Sequence, residues 1–180
     1  KKKYKSKVLA NFNKKNVGYG ANIKKCINYA YKNRFSYAVM IHGDNQYDPK
    51  YSSIMIENLI KSKNLNATVG SRMTNKMDAI KGKMPFYKFI GNIFLTGIFN
   101  FLNDTKFTDC HTGYWAYNLK LIDKETFKNL DNNFCFDIDL RLKLISEKKK
   151  IREIPIKTFY GTERSYVHLI YAIRFFLKTI

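Results

Sequence analysis

Short apolar runs of strand length alternate with stretches of helical periodicity along most of the chain. Val8 to Phe12, Tyr37 to Ile41 and Ala67 to Gly70 read as strands. Between the first two, Gly18 and Gly20 mark a turn, and Ile23, Ile27 and Ala30 share one face of a helix over Ala21 to Lys32. Pro49 falls in the first turn of a second helix, continued by Ile54, Ile56, Leu59 and Ile60. Arg72 to Lys83 is polar and aperiodic and reads as a mobile loop. Pro85 opens a long apolar helix reaching about Leu102, whose apolar residues are too many for one narrow stripe. Lys88, Asn92 and Asn100 interrupt it, and it barely reaches the ~20 residues of a membrane span, so a buried or membrane-surface helix is the expectation.

Beyond it, Thr112 to Asn118 reads as a strand and Asp123 to Leu130 as a short helix. Phe136 to Lys148 is helical, with lysines placed to suit a helix C-terminus. Ile151 to Phe159 reads as a strand pair broken at Pro155. Tyr166 to Ile180 is an amphipathic helix with Phe175, Phe176 and Leu177 beside Arg174 and Lys178. This alternation predicts an α/β domain over residues 1–165, with helices flanking a mainly parallel sheet, then the amphipathic helix over 166–180.

Composition narrows the classes. The 180 residues are 45% hydrophobic and 16% aromatic, enough to fill a core, which argues against wholesale disorder. Three widely spaced cysteines, Cys26, Cys110 and Cys135, make neither a disulfide framework nor a metal cluster, so a reducing compartment is the default. The basic start is not followed by the apolar run of a secretory signal. The net charge of +19 has two readings. One is an anionic partner; the other is codon bias, since Lys, Asn, Ile and Tyr all abound. No RNP-like or zinc motif supports an RNA-binding module, and no nucleic-acid partner is expected.

Chemistry concentrates in His42-Gly43-Asp44-Asn45-Gln46-Tyr47-Asp48-Pro49, directly after an apolar strand. In parallel α/β sheets ligands sit beyond the carboxyl ends of the strands. Hard oxygen ligands there suit Mg²⁺ or Mn²⁺. Asp48 reads more simply as the cap of the helix at Pro49.

Taken together, these and other segments resemble the inverting family 2 glycosyltransferases of GT-A fold, particularly the dolichyl- or polyprenyl-phosphate sugar synthases. Asn16 to Ala21 is similar to that family's N-x-G-x-G-A, and His42 to Pro49 to its D-x-D-G-Q-x-D-P. Gly70-Ser71-Arg72 matches G-S-R, and Thr108 to Tyr114 resembles T-D-x-x-S-G-F. Phe136 to Leu140 resembles F-D-x-E-L, Ile151 to Ile156 resembles I-x-E-V-P-I, and Gly161 to Ser165 echoes a G-x-S stretch. Each is weak alone; their order and spacing carry the resemblance.

The resemblance implies a GT-A, Rossmann-like fold and inverting sugar transfer from a nucleoside-diphosphate donor to a lipid-phosphate acceptor. It implies that Asp44 binds Mg²⁺ or Mn²⁺, with Gln46 as a second contact, and that Arg72 is set as a cation against the diphosphate. Asp109 becomes an acceptor-side base or aligner. Asp137 and Asp139, two apart on a helix, point in different directions; Asp139 matches the family's acidic position, and Asp137 then caps the helix. Lys88 and Asn92 share a helix face and would hold the acceptor phosphate, with Arg164 and Ser165 closing the site. The plainer alternatives are a surface ion pair for Arg72, a backbone-satisfied turn for Asp109 and a solvated Lys88. Peripheral attachment to the anionic, cytosolic face of a membrane follows from the two helices that mix aromatics with basic residues.

Three departures qualify the resemblance. His42 stands where the family has the first Asp of D-x-D; neutral imidazole can ligate Mn²⁺ but suits Mg²⁺ poorly, so either the metal hangs mainly on Asp44 or His42 instead hydrogen-bonds a phosphate. Trp115 stands where the family has an arginine, and reads as core packing or an apolar wall. The family's opening strand, roughly V-V-I-P-x-Y-N-E, and its D-D-G-S turn have no counterpart, so the fold is expected to lack its first strand and such a piece to be unstable or inactive alone. These departures keep a catalytically inactive binding or scaffold relative as the alternative function.

Overall fold

Tyr37–Met40 (β1), Ala67–Ser71 (β2), Trp115–Asn118 (β3) and Ile151–Pro155 (β4) form one sheet, ordered β1-β3-β2-β4, in the computed structural model, which describes residues 8–161 and 169–179. β3 runs antiparallel to both neighbours, pairing Met40 with Trp115 on one side and Val69 with Trp115 on the other. β2 and β4 are parallel, with Ala67 opposite Ile151 and Ser71 opposite Pro155. The sheet is therefore mixed, not mainly parallel as the alternation predicts. A parallel strand needs a crossover back to its neighbour's starting edge. Here the chain returns from α4 to the edge where β1 and β2 end, so β3 can only run away from it.

The two central strands are buried throughout and the two outer strands only in part. Alternate residues of β3 serve opposite layers. Trp115 and Tyr117 pack with Ala67 and Val69 against Tyr19–Lys32 (α1) and Phe136–Ser146 (α5). Tyr114 and Ala116 face Lys50–Lys61 (α2), where they meet Met55 and Leu59. α1 buries Ile23, Ile27 and Ala30 as its period predicts, but begins at Tyr19. Gly18 has φ +89, and a Cβ on Gly20 would collide with the Asp131 carbonyl, so both positions of that turn demand glycine. α2 begins after Pro49, and the Asp48 carboxylate accepts from the Lys50 N–H at 2.9 Å, as the capping reading expects.

Several elements differ from expectation. Val8–Phe12 forms no strand; its apolar side chains are exposed, and no described strand supplies a ladder partner. The polar loop after Arg72 contains a helix, Lys76–Lys81 (α3), because the Asn75 side chain caps it by accepting from the Met77 N–H. Asp123 to Leu130 yields only a 3₁₀ turn, Lys124–Phe127, capped by Asp123. After Pro155 the second strand reduces to one bridge between Thr158 and Tyr47.

Phe86–Asn103 (α4) buries Asn92, Thr96 and Phe99. Its other side exposes Phe86, Tyr87, Phe94 and Phe101, the last at 87%. Leu169–Thr179 (α6) lies beside it, and Phe176 joins Ile93, Gly97 and Phe101 around a shallow apolar groove. Among the described residues no helix is long and apolar enough to cross a membrane.

Candidate functional site

β1, β2 and β4 run toward one edge of the sheet, and β3 starts there. That edge gathers the His42–Asp48 turn, the Ser71–Arg72 exit and the 108–114 loop, the position where α/β sheets hold ligands. Two polar clusters occupy it.

The first is built on Arg72 and Asp109. Asp109 is fully buried, and Arg72 approaches it side-on: Nε donates to Oδ2 at 2.7 Å and Nη2 to Oδ1 at 2.9 Å. The Arg72 and His111 backbone N–H groups and the Asn92 amide, at 2.7 Å, add three more donors to the same carboxylate. Burial alone would raise the Asp109 carboxyl. The Arg72 charge and the hydrogen bonds from Arg72 and Asn92 outweigh it and hold Asp109 well below the usual carboxylate range. Arg72 also reaches the Tyr160 hydroxyl at 3.0 Å and the His111 carbonyl at 2.9 Å. Four of its five N–H donors are thus committed to protein acceptors. Lys88 stands next to this pair with its ammonium 5.6 Å from the Tyr160 ring centre. Burial, and then the Arg72 charge, lower its pKa.

The second cluster centres on His42. Its Nε2 is 3.1 Å from the Tyr19 hydroxyl, and its Nδ1 is 3.9 Å from Asp44 Oδ2. Burial lowers the His42 pKa; Asp44 opposes that and Arg72 adds to it, so the ring is neutral at pH 7. Tyr19 in turn donates to Asp137 Oδ2 at 2.8 Å. Asp44 is exposed, and its Oδ1 accepts the Gln46 N–H at 3.1 Å across Asn45, which has φ 61. The clusters meet at Tyr47, whose ring lies 5.3 Å from His42 and whose hydroxyl accepts the Gly113 N–H.

The residues expected at the site therefore divide. His42, Asp44 and Gln46 stay together on one turn, and Arg72, Asp109, Lys88 and Asn92 form the neighbouring cluster. Arg72 is not an uncommitted cation, because Asp109, 37 positions away in sequence, takes two of its donors. Of the two helical aspartates it is Asp137, not Asp139, that turns toward the second cluster, and neither caps the helix, whose N-cap is Cys135. Asp137 accepts from the Tyr19 hydroxyl, while Asp139 accepts from the Asp131 N–H at 2.9 Å and pairs with Lys178 at 2.6 Å. Two residues on a helix are about 200° apart, so only one can face the sheet edge. Trp115 is core: it is fully buried, with the Arg141 guanidinium 4.9 Å above its ring. Arg164 and Ser165 lie outside the described residues.

Sequence reasoning missed four contributors. Tyr19 and Tyr160 carry no local signal, because their roles exist only once distant segments meet. Glu153 sits inside the quoted I-x-E-V-P-I match; its carboxylate accepts from the backbone N–H groups of Thr108 and Asp109 and so fixes the loop. Arg141 donates to the Asp109 carbonyl at 3.2 Å from between Phe107 and Trp115.

Asp137 gives a pH prediction. Burial raises its pKa to about 7, against the hydrogen bond from Tyr19 and the Arg141 charge, and its Oδ1 is buried without a partner among the described residues. Between about pH 4 and pH 7 the folded state then holds a proton that the unfolded state has released. Stability falls as pH rises through that window and levels off above it. Urea unfolding should show a wild-type loss on the order of 2–4 kcal/mol there that Asp137→Asn lacks. Parallel wild-type and variant profiles would contradict this.

No family model matches the chain, and no curated protein matches it.

Proposed function

We propose that the chain is a GT-A-type glycosyltransferase domain of the inverting family 2 kind, moving a sugar from a nucleoside-diphosphate donor to a lipid phosphate at the cytosolic face of a membrane. The observation that carries the reading is the convergence of the His42–Asp44 turn and the Arg72–Asp109–Asn92–Lys88 cluster on one sheet edge, joined by Tyr47 and Gly113.

Among the described residues no three or more His, Cys, Asp or Glu side chains form a cage for a metal ion. A diphosphate-bridging cation needs fewer, since waters and phosphate oxygens fill the other positions. Asp44, exposed, and neutral His42, with Nδ1 toward it, fit such a two-ligand site, and the imidazole fits Mn²⁺ better than Mg²⁺. When bound, the cation would neutralise charge on the departing diphosphate. Asp109 receives five hydrogen bonds and has a depressed pKa, which suits an aligner of Arg72 and Asn92 and not a proton acceptor. A phosphate acceptor is already ionised at neutral pH and needs cationic placement more than a base. Lys88 supplies it, with no carboxylate within ion-pair distance among the described residues. The exposed apolar side of α4 and the net charge of +19 suit an anionic lipid surface beside that lysine.

The commitment of Arg72 to Asp109 also favours a second reading, an inactive relative that binds or scaffolds. Calorimetry with UDP- and GDP-sugars, with and without Mn²⁺, separates the two. The transferase reading expects Mn²⁺-dependent binding that Asp44→Ala weakens at least ~10-fold, and transfer to a short polyprenyl phosphate. Absence of Mn²⁺-dependent binding, or indifference to Asp44→Ala, overturns it in favour of the second.

A further inference from the structure

The Tyr19 hydroxyl has one proton and three neighbours that compete for it: the weakly accepting Met40 Sδ at 3.7 Å, His42 Nε2 and the Asp137 carboxylate. It donates that proton to Asp137 Oδ2 at 2.8 Å. Toward His42, 3.1 Å away, only its lone pairs remain, so His42 Nε2 must be the donor. A neutral imidazole with its proton on Nε2 has a bare lone pair on Nδ1, and Nδ1 faces Asp44 Oδ2 at 3.9 Å. The ring is held in that pose from three sides. Tyr19 meets it edge-on at 5.4 Å, Tyr47 at 5.3 Å, and a Cβ on Gly113 would come within 2.6 Å of Nε2. Without Tyr19 the preference would reverse, because the Asp44 carboxylate favours a proton on Nδ1.

We propose that Asp137 and Tyr19 are positioning residues that fix His42 as its Nε2–H tautomer, so that His42 Nδ1 and Asp44 together form an imidazole–carboxylate cation site preferring Mn²⁺ to Mg²⁺. The proposal rests on the reading of Asp44 as a cation ligand. Three elements build it: α1 supplies the phenol, α5 the buried carboxylate and the exit from β1 the imidazole. A hydrogen-bonded partner on the distal nitrogen sets which nitrogen is left to a metal, and its loss ordinarily weakens metal binding.

The test uses the full chain at pH 8, with Mn²⁺ or Mg²⁺ alone as the probe. Long-range ¹H–¹⁵N spectra report the His42 tautomer, its signals assigned by their absence in His42→Asp, and water-proton relaxation reports Mn²⁺ affinity. The wild type should be the Nε2–H form and bind Mn²⁺ more tightly than Mg²⁺. Tyr19→Phe keeps the ring stacked on Phe134 and should admit the Nδ1–H form and weaken Mn²⁺ binding ten- to a hundredfold. Asp137→Leu frees the Tyr19 proton to go to Nε2 and should drive the imidazole proton to Nδ1 with Tyr19 intact. In a His42→Asp background, Tyr19→Phe should leave Mn²⁺ affinity unchanged. Wild-type tautomer and affinity in both single variants, or no Mn²⁺ binding by the wild type, overturns the proposal. If nucleotide sugars fail to bind while these effects appear, the proposal holds and the transferase reading falls. If donors bind with Mn²⁺ and the variants change nothing, only the proposal falls.

Discussion

Replacing Arg72 with alanine should cost about 3–5 kcal/mol of folding stability, the usual consequence of leaving one partner of a buried ion pair without the other. Asp109 has no exposure through which to recover hydration, and it would keep only Asn92 and two backbone N–H groups. Its pKa should climb toward and beyond the ordinary range, since burial would no longer be opposed by a cation. Urea unfolding at pH 7 measures the loss. The double variant Arg72→Met, Asp109→Leu removes both charges and should recover most of it. A single-variant loss below about 1 kcal/mol, the size of an exposed pair, would mean that the pair is solvated.

The second large effect is at Gly113. A methyl group there would stand 2.6 Å from His42 Nε2 and 2.9 Å from the Tyr19 hydroxyl. Both lie inside contact distance, and they are the two atoms whose hydrogen bond orders the His42 cluster. Gly113→Ala should cost about 1–3 kcal/mol through overpacking, and it should abolish Mn²⁺-dependent donor binding even where the protein stays folded. The comparison is Gly97→Ala, on α4, where an added Cβ meets open space. That change should leave donor binding intact and, by helix propensity, gain a few tenths of a kcal/mol up to about 1. Equal effects at the two glycines would remove the steric argument.

Much of this architecture is visible in local patterns. The period of Ile23, Ile27 and Ala30 specifies the buried side of α1, and the apolar run from Tyr37 to Ile41 starts with β1 and passes its end by one residue. Pro49 and Pro85 mark helix starts because proline supplies a suitable φ and needs no N–H there. The direction of β3 was not legible, because Trp115–Asn118 reads the same in either orientation and only the route of the preceding chain decides. Clustering of candidate site residues was legible where they adjoin in sequence, as His42, Asp44 and Gln46 do. The partnership of Arg72 with Asp109 was not, since pairing across 37 residues is a tertiary event. At Asp137 and Asp139 helical geometry separated the two residues but could not say which one turned inward. The group that Asp137 meets there, the Tyr19 hydroxyl, has no sequence signature.

The two halves of this edge are anchored very differently. Arg72 and Asp109 are stitched into the interior, whereas the exposed Asp44 carboxylate accepts one backbone N–H, that of Gln46, on an external turn whose far end is tied down at Tyr47. Substitutions at exposed Asp44 should therefore cost little folding stability, whereas substitutions at the buried pair cost several-fold more.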